Sequence, residues 1–157
     1  MAERKLAVVT GAANGLGRAI ATRLAQDGAH IVAVDRDEAG LATLAEAIRG
    51  AGGEIASWAG DLTDTARIVA IFAEIRAQLG AVGILVNNVG GSMRGQAVRF
   101  AESDLSSYEH MLALNLRPTV WASRQVIGEM KQRGWGRIVN ITSEAAFRGA
   151  AREAQGA

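Results

Sequence analysis

The strongest constraint on the fold is a regular alternation between short apolar runs and longer segments with helical spacing. Four runs are rich in Val and Ile, as expected of strands buried on both faces of a sheet, and they occupy residues 6–9, 31–34, 84–86 and 138–141. Residues 55–59 form a fifth strand candidate with fewer such residues, preceded by Gly52-Gly53 and followed by Gly60-Asp61. Between them, apolar residues recur every three or four positions, which predicts helices over residues 16–26, 41–49, 66–79 and 105–133. The alternation therefore predicts five strands and four helices.

Strands that alternate with helices predict a doubly wound α/β fold, because each parallel pair of strands needs a crossover and that crossover is right-handed. We expect a parallel sheet with the strand order 3-2-1-4-5. The chain holds one proline, Pro118, and no Ser/Gly tract that would mark a linker. Its 157 residues, 49% of them hydrophobic, are enough to bury one core, so residues 1–157 are predicted to form a single domain.

The charged residues argue against several classes of partner. Lys and Arg number 17, Asp and Glu 16, and neither sign forms a long run. This balance argues against a nucleic-acid surface or a membrane anchor and fits a small neutral or anionic metabolite. There is no cysteine, and His30 and His110 are far apart in sequence, so we expect no metal site. The first apolar run is too short for a signal sequence or a membrane span, which predicts a soluble cytoplasmic protein.

A glycine-rich loop joins the first strand to the first helix and reads Thr-Gly-Ala-Ala-Asn-Gly-Leu-Gly over residues 10–17. At such a place the backbone can approach a pyrophosphate, and the positive end of the helix stabilises its charge. Gly11 would make the turn, Gly15 the close approach and Gly17 the contact between helix and strand, with Asn14 and Leu16 also at the cofactor site. This context predicts a Rossmann-like dinucleotide-binding domain. The alternative is that the glycines only make a tight turn.

An acidic residue, Asp35, ends the second strand 18 residues after Gly17. A carboxylate near this offset accepts hydrogen bonds from the adenosine ribose and repels a 2′-phosphate, which favours NAD over NADP. Arg36 follows directly and supplies the opposite charge, so it too is assigned to the cofactor site. The alternative is that Asp35 caps the next helix together with Asp37, or is a solvated strand end.

Further polar residues follow the later strands: Asp61-Leu62 after the third, Asn87-Asn88-Val89-Gly90 after the fourth, Asn115 in the long helix and Ser143 after the fifth. Together with the loop spacing Thr-Gly-x-x-x-Gly-x-Gly, these residues make the chain similar to the short-chain dehydrogenase/reductase family over essentially its whole length. The family's reaction is hydride transfer between nicotinamide and an alcohol or ketone carbon. The resemblance therefore implies an NAD(P)-dependent oxidoreductase that acts on a small alcohol or ketone.

The resemblance also implies roles for individual residues. Asp61 would contact the adenine amino group with Leu62 beside it, and the cofactor would lie along Asn88, Val89 and Gly90. Val89 replaces the alanine that is usual in the family's Asn-Asn-Ala-Gly motif, so two methyl groups could shift the local packing. Two residues are catalytic candidates: Asn115 would hold a water in a proton relay, and Ser143 would polarise the substrate oxygen.

Each of these residues also has a purely structural interpretation. Asp61 could cap the next helix with Thr63 and Asp64, and the paired asparagines could satisfy backbone groups of the loops. Ser143 could be a helix cap that follows Thr142. Asn115 could belong to a packing helix kinked at Pro118, which has no N–H for the carbonyl of Leu114.

The chain departs from the family at its central motif, Tyr-x-x-x-Lys, which the 157 residues do not contain. The only tyrosine is Tyr108, which precedes the serine, and the only lysines are Lys5 and Lys131. A phenol with a pKa of about 10 is a poor proton donor at neutral pH without a cation beside it. We therefore expect a dinucleotide-binding domain that is truncated at its carboxyl end, incomplete relative to the family, and inactive as it stands.

Other functions remain open on the sequence alone. The chain could be a catalytically dead nucleotide-binding or interaction module, or a methyltransferase that uses a similar sheet and glycine loop. The helical segment 105–133 has more apolar residues than one buried stripe needs, and the family pairs this helix with a second subunit. A family-like homo-oligomer, dimer or tetramer, is therefore expected of the full-length protein.

Overall fold

The computed structural model describes residues 5–92 and 100–144, and its centre is a parallel sheet of five strands. The strands are β1 (Leu6–Thr10), β2 (His30–Asp35), β3 (Glu54–Ala59), β4 (Ile84–Asn87) and β5 (Arg137–Asn140). Their order is β3-β2-β1-β4-β5, which confirms the predicted order. Each strand begins and ends within one residue of the apolar run that predicts it.

The first strand lies at the centre of the sheet. Val8 of β1 pairs with Val32 of β2 on one side and with Leu85 of β4 on the other. All three side chains are fully buried. Such residues leave no polar alternation along the strand, which is why continuous Val and Ile runs mark the inner strands of this sheet.

The helices cover the two faces of the sheet. They are α1 (Gly15–Gln26), α2 (Glu38–Gly50), α3 (Thr65–Leu79), α4 (Leu105–Asn115) and α5 (Arg117–Gln132), and a short 3₁₀ helix spans Phe100–Glu102. Helices α1 and α2 pack with the face that carries Ala7 and Val9, whereas α3 and α5 pack with the face that carries Leu6 and Val8. The apolar core is thus split by the sheet into two layers.

The prediction of one kinked helix over residues 105–133 is wrong, because this segment forms two helices. Helix α4 ends at Asn115, Leu116 lies between, and α5 begins at Arg117. The break follows from Pro118, which is buried in the first turn of α5 and has no N–H to bond the carbonyl of Leu114. Proline is well tolerated in a first turn, so the chain starts a new helix rather than bending one.

Three aspartates cap helices α2, α3 and α4. The side chains of Asp37, Asp64 and Asp104 accept hydrogen bonds from backbone N–H groups in the first turns of α2, α3 and α4, respectively. Each satisfies a donor that has no partner within its helix. Among residues 5–92 and 100–144, no helix has both the length and the apolarity required to cross a membrane.

Candidate functional site

A cleft of about 340 Å³ lies along the carboxyl ends of β1 to β4. Doubly wound sheets bind ligands at this edge, where the order of the strands reverses, and the volume lies in the range of small-molecule sites. Of the predicted cofactor residues, all except Gly15 and Gly17 line its wall: Gly11, Asn14, Leu16, Asp35, Arg36, Asp61, Leu62, Asn88, Val89 and Gly90. The fold thus gathers residues that are far apart in sequence.

Sequence reasoning did not select three residues that also line the cleft: Gly60, Thr63 and Leu114. Gly60 directly follows β3, and its N–H donates to the carbonyl of Asp35 at 2.9 Å, so it continues the strand pairing to the cleft. The available signal for Gly60 and Thr63 was their position near Asp61, and for Leu114 its position beside Asn115, because neighbours of a predicted site residue often line the same cleft.

The first two glycines of the loop have backbones in the left-handed region, with φ of 65° at Gly11 and 52° at Gly15. The N–H of Gly11 donates to the carbonyl of Val34 at 2.8 Å, so this turn is fixed against β2. A side chain at Gly15 would meet nothing within 4 Å, although its backbone conformation favours glycine. Gly15 therefore begins α1 beside open space, at the positive end of the helix.

Gly17 is needed for a different reason. A Cβ there would collide with the carbonyl oxygen of Gly11 and lie 2.6 Å from Nδ2 of Asn88. The helix thus approaches the loop so closely that only a hydrogen fits at Gly17.

Asn88 and Thr10 form a clamp between the ends of β1 and β4. Nδ2 of Asn88 donates to the carbonyls of Thr10 and Gly11, both at 3.1 Å. In return, the Thr10 hydroxyl accepts the N–H groups of Asn88 at 3.0 Å and Val89 at 3.2 Å. Asn88 therefore satisfies backbone groups of the glycine loop, which is the structural interpretation given above, and it also lines the cleft wall.

The carboxylate of Asp35 is engaged by two backbone donors. Its Oδ2 accepts the N–H of Ala13 at 3.0 Å and its Oδ1 that of Asp37 at 3.1 Å. The side chain of Asp37, not that of Asp35, caps α2. Because carboxylate oxygens have spare lone pairs, both can still accept further hydrogen bonds from a ligand.

Asp61 is held by the residue two positions later. Its Oδ1 accepts the backbone N–H of Thr63 at 2.9 Å and the Thr63 hydroxyl at 2.8 Å. These two hydrogen bonds hold the pKa of Asp61 below its ordinary value, and the charge of Arg36 acts in the same direction against slight desolvation. The suggestion that Asp61 caps α3 does not hold, because Asp64 does so.

Asn115 links the loop after β4 to the end of α4. Its Oδ1 accepts the N–H of Gly91 at 2.9 Å, and its Nδ2 donates to the carbonyl of Met111 at 3.2 Å. A Cβ at Gly90 would lie 2.8 Å from Oδ1 of Asn115, so the loop approaches this side chain as closely as glycine permits. Asn115 itself does not line the cleft, whereas the preceding Leu114 does.

Ser143 lies three residues beyond β5, is exposed and is not on the cleft wall. The strand before it is held by Asn87, which is buried and donates from Nδ2 to Oδ1 of Asn140 at 2.9 Å and to Oγ of Ser123 at 3.1 Å. The backbone N–H of Ile141 also donates to the carbonyl of Asn87 at 2.9 Å. The structure therefore places neither Ser143 nor Asn115 on the wall of this cleft.

A doubly wound parallel sheet with a polar cleft at the carboxyl ends of its strands defines the Rossmann-like class of proteins. The family model described as short chain dehydrogenase matches residues 5–155. The chain belongs to the short-chain dehydrogenase family, which sets aside the methyltransferase alternative.

Three similar proteins illustrate the relationship. The chain is 34% identical over 147 residues to the ketoacyl reductase HetN of Nostoc sp., covering 94% of this chain and 50% of the relative. It is 38% identical over 142 residues to the D-threitol dehydrogenase of Mycolicibacterium smegmatis, and the match covers 90% of this chain and 54% of the relative. The crystal structure of a metagenomic short-chain oxidoreductase in complex with NADP aligns with a TM-score of 0.90 at 33% identity, and the alignment covers 96% of this chain and 67% of that one. The chain thus spans about half the length of these curated relatives.

Proposed function

We propose that this chain is the nucleotide-binding domain of an NAD(P)-dependent oxidoreductase, which transfers hydride between nicotinamide and an alcohol or ketone carbon. The observation that carries the proposal is the cleft itself, because one wall combines the glycine loop, an acidic strand end and the Asn88 clamp. Two relatives, a ketoacyl reductase and a D-threitol dehydrogenase, bear names that agree with an alcohol or ketone substrate.

The residues present fit a dinucleotide. The Asn14 side chain makes no capping hydrogen bond to α1, so it leaves the first-turn N–H groups of this helix without a capping acceptor. Open space at Gly15 leaves room for a group to approach the backbone there. An anionic pyrophosphate suits such a position, and the acceptor oxygens of Asp35 suit ribose hydroxyls.

Each part of the wall then has a proposed task. Gly11, Gly15 and Gly17 let the backbone and the α1 N-terminus bind the pyrophosphate, and Asn14 and Leu16 flank it. Asp35 and Arg36 border the adenosine ribose, and Asp61 and Leu62 border the adenine. Asn88, Val89 and Gly90 support the cofactor's further course along β4. The nicotinamide, when bound, supplies or accepts the hydride.

We propose a preference for NAD because Asp35 presents a carboxylate where a 2′-phosphate would lie. The related metagenomic enzyme is in complex with NADP, so the family relationship by itself gives this preference no support. The preference therefore depends on the charges of this chain, Asp35 and Arg36.

For the chemical step, we propose that Ser143 orients the substrate oxygen and that Asn115 holds a water in a proton relay. Neither group is an effective proton donor at neutral pH, and the 157 residues contain no Tyr-x-x-x-Lys. We therefore propose that the chain as given binds cofactor without turning over substrate.

Titration of the purified chain with NADH and with NADPH tests the proposal. We expect saturable binding, tighter for NADH, that is lost in the Asp35→Ala variant. The matched control is Asp27→Ala, which removes an exposed carboxylate at the far end of α1 that pairs with Arg23. Failure of both cofactors to bind would refute the nucleotide-binding function, and tighter binding of NADPH would refute the preference.

A second candidate function is a catalytically dead nucleotide-binding or interaction module, and the absence of Tyr-x-x-x-Lys favours it. The test is turnover of simple alcohols and ketones followed by NADH absorbance. The module hypothesis requires no activity above the uncatalysed rate while NADH still binds. Turnover at rates ordinary for dehydrogenases, about 1 s⁻¹ or more, would refute it.

A further inference from the structure

The charged residues on the cleft wall come from two neighbouring strand ends. Asp35 ends β2, Arg36 directly follows it, and Asp61 follows β3. The strands are paired up to Asp35 and Ala59, and the Gly60 N–H donates to the Asp35 carbonyl, so the ends stay together up to the cleft. No other ionisable side chain among the described residues lines this wall, which therefore carries two carboxylates and one guanidinium.

The two carboxylates differ in what holds them. Asp35 accepts hydrogen bonds from two backbone N–H groups, that of Ala13 in the glycine loop and that of Asp37 before α2. Asp61 is fixed by Thr63 through Oδ1 alone, and these hydrogen bonds stabilise its charged form. Asp61 is therefore a positioned anion that stays ionised well below neutral pH.

Arg36 is the only cation of this wall, and in the described part of the chain its guanidinium makes no hydrogen bond and no ion pair within 4 Å. An exposed guanidinium beside a ribose site is a good ligand for a phosphate, since its planar fork matches phosphate oxygens. Arg36 and Asp61 follow paired strand ends and line the same wall, so their opposite charges attract each other, and the charge of Arg36 contributes to the lowered pKa of Asp61.

Resting on the proposed function, we infer that Asp61 sets the cofactor preference of the cleft by neutralising Arg36. With Asp61 ionised, Arg36 and Asp61 cancel and Asp35 leaves the wall with a net negative charge, which disfavours a 2′-phosphate. Without the charge of Asp61, the charge of Arg36 is offset by Asp35 alone, so the wall has no net charge and a 2′-phosphate can bind the guanidinium. Asp61 is thus a specificity-determining residue that acts through its neighbour.

The decisive variant is Asp61→Asn, because the asparagine Oδ1 can still accept both hydrogen bonds from Thr63 and only the charge is lost. We expect the ratio of NADPH affinity to NADH affinity to rise about fivefold, the size typical of a partly solvated charge pair. The gain should shrink when salt is raised to about 0.5 M, because screening weakens such pairs. The matched control is Asp64→Asn, which removes the same charge from a residue off the cleft wall and should leave the ratio within about twofold.

A double-mutant cycle tests whether Arg36 is the mediator. In an Arg36→Ala background, Asp61→Asn should change the ratio of NADPH affinity to NADH affinity by less than about twofold, because the cation that Asp61 neutralises is absent. The inference is overturned if Asp61→Asn leaves the ratio unchanged, if Asp64→Asn raises it equally, or if the gain is the same with and without Arg36. Failure of the unmodified chain to bind either cofactor would instead overturn the proposed function, and this inference with it.

Discussion

Oδ2 of Asp35 accepts a hydrogen bond from the backbone N–H of Ala13 at 3.0 Å, which ties the end of β2 to the loop between β1 and α1. The acidic residue that is proposed to bind the ribose therefore also shapes the glycine loop that is proposed to bind the pyrophosphate. Its other oxygen accepts the N–H of Asp37, the residue that caps α2. One carboxylate thus couples both halves of the site.

Replacing Asp35 by alanine should affect binding and stability together. We expect NADH affinity to fall at least about tenfold, and the free energy of unfolding to fall by about 1 to 3 kcal/mol because two backbone donors lose a charged acceptor. Calorimetric titration and urea unfolding measure the two effects. Asp27→Ala is the control, and unchanged stability of Asp35→Ala would contradict the proposed tie to the loop.

Gly17→Ala should be among the most damaging single methyl additions in the chain. Its Cβ would collide with the Gly11 carbonyl and press on Asn88, so the loop or helix must shift, at a cost of about 2 to 4 kcal/mol. Gly128→Ala is the matched control in the middle of α5, where nothing lies within 4 Å, and it should stabilise by about 0.5 to 1 kcal/mol. Equal unfolding free energies for the two variants would contradict the close approach.

The order of the strands could be predicted because it depends on patterns within short segments. Continuous apolar runs such as residues 31–34 indicate strands buried on both faces, and the crossover rule then leaves few topologies. The long helix could not be predicted as well, because its apolar spacing continues across Pro118. Helix α4 ends at Asn115, two residues before Arg117, because Pro118 has no N–H to bond the carbonyl of Leu114, and apolar spacing does not report this loss.

Most residues that line the cleft could also be predicted, but not the hydrogen-bond partners of each side chain. Asn88 and Thr10 are 78 residues apart, and only the pairing of β1 with β4 shows that they form a clamp. Likewise, nothing in the sequence distinguishes Asp61, held by Thr63, from Asp64, which caps α3. Hydrogen-bond partners depend on side-chain directions that propensity and motif spacing leave open.

The hydroxyl of Thr10 should contribute more to stability than its methyl group. Thr10→Val removes the acceptor for the N–H groups of Asn88 and Val89, and a buried unsatisfied donor costs about 1 to 3 kcal/mol. Thr10→Ser keeps the hydroxyl and loses one methyl, about 0.8 kcal/mol. Urea unfolding should therefore rank Ser above Val in stability, and the reverse ranking would refute the clamp.

Acid should weaken the N-terminus of α4. The hydroxyl and backbone N–H of Ser106 hold the pKa of Asp104 below its ordinary value of 3.8. A carboxyl group whose pKa is lower in the folded than in the unfolded chain stabilises the folded state fully at pH values above its unfolded pKa. This contribution is lost as the pH falls through the folded pKa. Asp104→Asn should thus be less stable than the unmodified chain at pH 7, with the difference closing below about pH 3.8. A difference that stays constant down to pH 2.5 would contradict this.

Self-association should depend on an apolar stripe defined by Leu116, which directly precedes α5, and by Val120 and Ile127 within that helix. These side chains are 54%, 47% and 46% exposed, whereas Val126 and Met130 of the same helix are buried against the core. Exposed apolar residues grouped on one helix face are typical of subunit contacts. We therefore expect the chain to form oligomers in solution. Ile127→Glu should raise their dissociation constant at least about tenfold, because a charge would be buried in the contact. Sedimentation velocity over a concentration series measures this, with Val69→Glu as control, since Val69 is comparably exposed at 44% but lies on α3. A monomeric unmodified chain, or equal weakening by the two variants, would show that α5 is not the contact surface.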